Sequence, residues 1–483
     1  MRKKIVAIIL ICGLLFGLTG CGDREPVAIG VVPEAKSIDV SIAVCGDVMA
    51  HMPQVNAALK SDGTYDFNPV FDDVRSIMSG ADICMANVEC TFPGTNDYKG
   101  YPVFHSPDSI ADALANAGVD VGIFANNHMN DSGLNGALRT VEVLEGAGLR
   151  VVGCRTSQDK NRSLIYQLVK DGEVINVGVV AYSYETSQGD SNRTMNGGAM
   201  RSDAPDYYNT FRQYADLSYL DRDIENIKSE IAWCKARADI TIVYLHWGEE
   251  YQRHSNSRQQ YIAEALASAG PDAIVASHPH VLQEISYVNG VPVYYSIGNY
   301  VSNQREETLD NHYTEQGLIA MLDFKLTSEP VDDGTYVIAP IGGEVTVPQS
   351  DGESVDGYDP GAVKGEWGVP ISGFEVYGTA AECEAEAEYN KKFFKLFSDK
   401  PEKGAMDWQS WSRWMVDGSD AKAVPTWVNK YSDASGVQYR IVPLVDGYKN
   451  NAGLLAAGYV GRAGEALADI KDLIGEEFIW NLK

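Results

Sequence analysis

Five short runs of apolar, largely β-branched residues each end in a polar cluster. Residues 40–45 (VSIAVC) end in Gly46-Asp47, 82–86 (DICMA) in Asn87-Val88-Glu89, and 119–125 (VDVGIFA) in Asn126-Asn127-His128. Further along, 240–245 (ITIVYL) ends in His246-Trp247-Gly248-Glu249, and 273–276 (AIVA) in Ser277-His278-Pro279-His280. Continuous apolar runs of this length predict strands buried on both faces. Amphipathic patterns at 109–117, 134–146, 220–236 and 258–269 predict helices between them. The alternation implies an α/β fold whose largely parallel sheet is covered by helices. In such sheets ligands bind beyond the carboxyl ends of the strands, where all five polar clusters fall. Hairpins are predicted at 164–169 with 174–182, around Asp171-Gly172, and at 284–288 with 291–297, around Asn289-Gly290. Further strands at 317–326 and 336–340 are accommodated by two sheets sandwiched between helices.

The pattern changes after residue 345. The stretch 348–373 is rich in Gly, Asp and Pro, 382–397 has a helical period, and Trp408, Trp411 and Trp414 recur every three residues. An aromatic stripe at that spacing reads as a packed helix face before it reads as a glycan groove. Residues 346–483 are accordingly expected to form an α-rich C-terminal extension to a domain spanning 39–345. At the other end, Arg2, Lys3 and Lys4 precede an apolar stretch at 5–18, shorter than the roughly 20 residues of a membrane-spanning helix. Leu18-Thr19-Gly20-Cys21 matches a lipobox. Residues 1–21 therefore read as a lipoprotein signal peptide, Cys21 as the lipidation site and 22–38 as a tether. Two acyl chains on Cys21 suffice to anchor the rest at the outer face of the cell membrane.

The 483 residues carry 39 Lys and Arg against 67 Asp and Glu, a net charge of −28, which deepens once the basic leader is removed. So acidic a surface repels phosphate backbones, and nucleic-acid binding is excluded as a general function. It leaves a metal-filled cleft open, because a bound cation sets its own local field. Of the 8 cysteines, Cys12 and Cys21 belong to the leader. The others lack C-x-x-C spacing, which removes zinc-ribbon and thioredoxin readings and leaves mostly free, buried thiols.

Candidate chemistry lies at the strand ends. Asp47, Glu89, Asn127, His246, His278 and His280 form a mixed oxygen and nitrogen set that suits Mn, Zn or Fe better than calcium, with one or two ions per chain. An extended His278-Pro279-His280 places both imidazoles on one side. A carboxylate such as Glu89 can bridge two cations, and His128 can protonate a leaving group. Asn87, Asn126, Asp131, Glu249 and Asn299 are the supporting candidates. Asn87 and Asn126 serve either the site or backbone groups at strand ends. Asp131 reads first as the cap of the helix near residue 134 and second as the group orienting His128. Ser296 and Asn299 read as loop-ordering residues, and His105, His254 and His312 as solvated.

The set GD (46–47), NVE (87–89), NNH (126–128), HWGEE (246–250), SHPH (277–280) and YSIGNY (295–300) resembles the bacterial capsule-synthesis family of the CapA type. That family is tied to poly-γ-glutamate capsule production and related to calcineurin-like metallophosphoesterases. The resemblance covers about residues 39–345. It implies a four-layer αββα metallophosphoesterase-like sandwich and a membrane-attached component working beside a polyglutamate ligase and export subunits, on an anionic surface polymer or its precursor. It further implies Asp47 and His280 on a first metal, Asn127, His246 and His278 on a second, Glu89 bridging, and His128 as leaving-group acid. One motif departs: phosphoesterases carry Asp-x-His on the first strand, whereas Asp47-Val48-Met49 ends in a residue that is a poor ligand for hard ions. The first site is thus short of a ligand, with His51 the nearest histidine. A non-enzymatic polymer-binding or scaffold subunit and a secreted phosphodiesterase or nucleotidase are the rival functions.

Overall fold

A computed structural model describes residues 36–328, 414–444 and 460–480. The leader, Cys21, the tether up to residue 35, the strand expected at 336–340, the helix expected at 382–397, and Trp408 and Trp411 lie outside the described residues.

In chain order the first strands are β1 (Lys36–Val48), β2 (Ile83–Val88), β3 (Val121–Ile123), β4 (Arg150–Val152), β5 (Leu164–Lys170) and β6 (Glu173–Tyr184). Three two-residue strands follow, β7 (Thr194–Met195), β8 (Gly198–Ala199) and β9 (Thr210–Phe211). Then come β10 (Ile240–His246), β11 (Ala273–Ser277), β12 (Ile285–Val288), β13 (Val291–Tyr294), β14 (Asn299–Val301) and β15 (Gln316–Ser328). The last two are β16 (Met415–Asp433) and β17 (Gly436–Pro443). The main helices are α1 (Met52–Ala58), α2 (Arg75–Met78), α3 (Ser109–Ala117), α4 (Gly133–Gly146), α5 (Leu217–Lys235), α6 (Ser257–Ala267), α7 (Glu306–Leu309) and α8 (Val460–Ile474).

The strands form two large sheets, and β7 and β8 pair as a separate antiparallel ribbon. One has eight strands in the order β17-β16-β15-β1-β2-β3-β4, with β14 on β1; the other has seven in the order β12-β13-β11-β10-β6-β5, with β9 on β6. The strands that carry polar ends pair in parallel, β1 with β2, β2 with β3, and β10 with β11 and β6. Their carboxyl ends thereby lie side by side within each sheet.

Alternation of side chains explains why these strands are apolar throughout. In β1, Ile38, Val40, Ile42 and Val44 enter a core shared with Val177, Val179 and Ala181 of β6 and Ile240 and Ile242 of β10. Ala43 and Cys45, the residues between, enter a second core with Ile110, Leu114 and Ala117 of α3. Strand β2 divides the same way: Ile83 and Met85 go to the inter-sheet core, and Cys84 and Ala86 go to the helix side. Helix α5 packs on β6 and β10, burying Leu220, Ile224, Ile227 and Ile231. Helix α6 starts at a reciprocal cap: Asn256 Oδ1 accepts the Gln259 backbone N–H at 2.9 Å, and Gln259 Oε1 accepts that of Asn256 at 3.0 Å.

The segment expected as an α-rich extension differs from that reading where it is described. β16 runs antiparallel to β15 over most of its length, and β17 pairs with β16, so both extend the first sheet. Ala421, Ala423, Trp427 and Val442, with Ile470 and Ile474 of α8, complete the inter-sheet core. Trp414 is buried at the approach to β16 rather than on a helix face. The reason is register: β15 is buried on both faces and needs a strand on its open edge, which a local pattern does not reveal. Cys45, Cys84, Cys90, Cys154 and Cys234 are free and buried, as expected of cysteines used as small hydrophobes.

Candidate metal centre

Asp47, Glu89, Asn127, His246, His278 and His280 are all buried and converge where β1, β2, β3, β10 and β11 end. Their backbone is held at close quarters. Gly46 lies against the 297–298 turn so tightly that a Cβ would fall 2.1 Å from the Gly298 carbonyl oxygen. That same oxygen accepts the Asp47 N–H at 3.1 Å. Only glycine allows this approach, and the approach sets where Asp47 begins.

Asp47 is the most heavily bonded member. Oδ1 accepts from Asn87 Nδ2 at 2.7 Å and from the Ser277 hydroxyl; Oδ2 lies 3.2 Å from His280 Nδ1. Burial alone would raise this carboxyl, but the bonds to His280 and Ser277, with the nearby His246 ring, outweigh it and hold the group at about 2. Glu89 shows the opposite balance. Burial, and then the Asp47 charge, push it well above the ordinary carboxyl range. The two adjacent carboxyls are thus driven in opposite directions, one by its hydrogen bonds and the other by burial and its neighbour's charge.

The imidazoles are prepared as ligands. Burial lowers His246 to about 3, against the pull of Asp47, and takes His278 well below its usual value with the neighbouring rings adding to the effect. Both rings are therefore neutral at neutral pH and offer lone pairs. His246 Nε2 stands 2.7 Å from Asn127 Oδ1 and 3.4 Å from Glu89 Oε1. His280 Nε2 is 3.9 Å from the same Glu89 oxygen. Glu89 Oε1 and His278 Nδ1 are buried and have no hydrogen-bond partner. Buried polar atoms are normally satisfied, so two orphans facing one centre are what a metal-ligand set without its ion presents. Ligand atoms of Glu89, His278 and His280 lie within 4.8 Å of one another, and so do those of Asp47, Glu89 and His246. Glu89 is common to both groups, and the division of the histidines differs from the one the resemblance implies.

Two expectations need correction. His278 and His280 do not lie on extended backbone: their φ angles are +106° and +57°. A left-handed backbone on both sides of Pro279, costly for residues with a Cβ, is what turns both rings to one centre, with centroids 5.8 Å apart. Asp131 does not cap α4, whose N-cap is Ser132. Instead Asp131 Oδ2 lies 2.8 Å from His128 Nδ1 and accepts the Phe104 N–H at 2.6 Å. It fixes the His128 ring, which also packs edge-on against Phe104 at 4.7 Å.

The supporting residues divide into inner and outer positions. Asn87 Nδ2 bonds Asp47 and, at 3.2 Å, Glu89 Oε2. Asn126 Nδ2 donates to Asn87 Oδ1 at 3.0 Å and to the Val88 carbonyl at 2.8 Å, and its oxygen accepts the His128 N–H at 3.2 Å. Asn299 donates to the carbonyls of His280 and Thr314, ordering the loop that bears His280. Glu249 is exposed at the rim beside Tyr214. Met49 is buried in the helix-side core, and the ring of His51 packs against Phe104, with Nδ1 accepting the Asn303 N–H at 3.2 Å. His105 and His312 are engaged at the periphery, while His254 is largely solvated. Sequence reasoning missed Tyr184, whose ring centroid lies 4.6 Å from that of His278. It too ends an apolar strand, so the rule that found the histidines covers it.

With this geometry in hand, the comparisons with known proteins are specific. The family model described as bacterial capsule synthesis protein PGA_cap matches residues 41–304. The chain belongs to this capsule-synthesis family. The match spans the motifs that supply all six candidate ligands. Among relatives, PGA biosynthesis protein CapA of Bacillus subtilis is 27% identical over 312 residues, covering 63% of this chain and 73% of that protein. Capsule biosynthesis protein CapA of Bacillus anthracis is 28% identical over 342 residues, covering 67% of this chain and 75% of that protein. A Mycobacterium tuberculosis protein, named a probable polyglutamine synthesis accessory protein, is 27% identical over 254 residues, covering 52% and 62%. Among the described residues of this capsule-synthesis protein, no helix is long and apolar enough to cross a membrane.

Proposed function

We propose that this chain serves the synthesis or export of a poly-glutamate capsule from the outer face of the cell membrane, held there by lipid on Cys21. Its buried carboxylate–imidazole cluster is a divalent-metal centre in a four-layer, metallophosphoesterase-like α/β domain. Capsule chemistry rests on family membership and on relatives named for it. The metal reading rests on one observation above the rest: Glu89 Oε1 and His278 Nδ1 are buried without partners beside neutral imidazoles.

Asp47, Glu89, Asn127, His246, His278 and His280 would hold Mn, Zn or Fe, with Glu89 in the shared position. A divalent cation bound there polarises a ligated oxygen and supplies hydroxide near neutral pH. The chain's own residues do the rest. Asn87 and Asn126 hold the carboxylates and the 126–128 loop in register. His128, its Nδ1 fixed by Asp131, offers its other nitrogen as a proton donor at the substrate. A polyglutamate ligase and export subunits are the partners this role requires.

A scaffold reading is favoured by one feature. Met49 stands where the phosphoesterase Asp-x-His motif has its histidine and is buried in the helix-side core, and the nearby His51 is engaged by Asn303. Elemental analysis of the full chain, purified without chelator and reloaded with Mn and Zn, separates the two. Two ions per chain support hydrolytic chemistry; one or none supports the scaffold. Replacing His278 with alanine lowers occupancy without loss of circular dichroism; full occupancy in that variant removes the ligand assignment.

A further inference from the structure

Among the candidate ligands, Asn127 differs in how its orientation is set. It lies in the loop after β3, and an amide presents either oxygen or nitrogen to a cation depending on which way it is turned. Its Nδ2 donates to Asn196 Oδ1 at 2.9 Å, and this leaves Asn127 Oδ1 toward the centre, 2.7 Å from His246 Nε2. Asn196 also accepts from the Tyr184 hydroxyl at 3.4 Å, the same tyrosine that packs against His278.

The residue that does this sits at the exposed tip of a tight hairpin. Asn196 and Gly197 join β7 to β8 with φ of +49° and +73°, the backbone that makes Asn-Gly the preferred two-residue turn. An exposed turn normally positions nothing, but this one is pinned. The Gly197 N–H donates to Thr186 Oγ1 at 3.0 Å, and the Thr186 N–H to the Thr194 carbonyl at 3.0 Å. Arg193 pairs with the buried Glu185. Met195 is buried in a cluster with Phe124 and Met129, which bracket the Asn127 loop. The hairpin and the loop it orients thus share one packed base.

We propose that Asn196 is a positioning residue that locks the Asn127 amide with its oxygen toward the metal. Without that acceptor the amide is free to turn its NH2 inward, where it repels a cation. The inference rests on the metal-centre reading above, and the test separates the failure of each. Mn2+ affinity is measured by calorimetry, and the visible spectrum of bound Co2+ is recorded, on the full chain. The variants are Asn196→Gly, Asn196→Asp and Asn127→Ala. Glycine keeps the left-handed turn and deletes the acceptor; aspartate tolerates the turn and keeps the acceptor. Asn196→Gly should weaken Mn2+ binding about 10- to 100-fold, as loss of an outer partner of a ligand does, and should move the Co2+ spectrum toward that of Asn127→Ala. Asn196→Asp should bind within about 3-fold of the parent, well short of the loss expected from an outer partner. A parent-like affinity and spectrum in Asn196→Gly, or in Asn127→Ala, overturns the inference while leaving the metal centre standing. A parent chain that binds neither ion overturns the metal centre and this inference with it.

Discussion

Glu89 and Asp47 lie side by side, yet neutralising them should have opposite consequences for the metal-free protein. Glu89 is pushed up by burial and by Asp47, so the metal-free form favours its neutral acid. Glutamine copies that form in shape and keeps the oxygen that accepts from Asn87 Nδ2. Glu89→Gln should therefore change metal-free stability by less than about 1 kcal/mol. Asp47 is held ionised by Asn87, Ser277 and His280. Asparagine would turn an NH2 toward one of these donors and lose charge-assisted bonds, at about 2–3 kcal/mol. With metal the two variants converge. Manganese at a hundred times its dissociation constant stabilises the parent by about 2.7 kcal/mol, a rise of about 3–4 °C in Tm for a chain of this size, and both variants should lose most of that rise. The assay is urea and thermal unfolding of chelator-treated protein, with and without manganese. Glu89→Gln as unstable as Asp47→Asn without metal, or with the full metal-dependent rise, would refute the reasoning.

Three further outcomes follow from the same geometry. Gly46→Ala places a Cβ 2.1 Å from a backbone oxygen that cannot yield, so it should cost about 3 kcal/mol in urea unfolding and abolish the manganese-dependent rise by displacing Asp47. Arg305 and Glu315, both buried and 2.7 Å apart, tie the 305–315 segment to β16 through the Val428 carbonyl and Trp427 Nε1; Glu315→Ala should cost about 3–5 kcal/mol by chemical denaturation, with no change in metal stoichiometry. The Asp47 carboxyl, at about 2 in the fold against 3.8 outside it, stabilises the folded chain fully above about pH 4 and less as pH falls toward 2. Glu89 contributes with the opposite sign, so the acid loss of about 2 kcal/mol should be measured in Glu89→Gln and should vanish when Asp47→Asn is added.

Periodicity and strand-end chemistry carry far in this chain. The parallel strands, the helices between them, both hairpins and all six candidate ligands are legible because a doubly buried strand must be apolar until it ends, and its first polar residues then fall on one edge. What the tertiary structure decided depends on contacts between segments distant in sequence. The pairing of β16 with β15, and of β17 with β16, draws residues 415–443 into the first sheet, where a local pattern suggested a separate helical piece. Asp131 turns to His128 instead of the helix end, since the competing partner, the Phe104 N–H, arrives from another loop. The left-handed backbone at His278 and His280 exists only where surrounding bonds over-determine it. Asn196 reaches Asn127 across 69 residues, a distance over which no period in a sequence speaks, because side-chain orientation is settled by whichever atoms the folded chain brings within 3 Å.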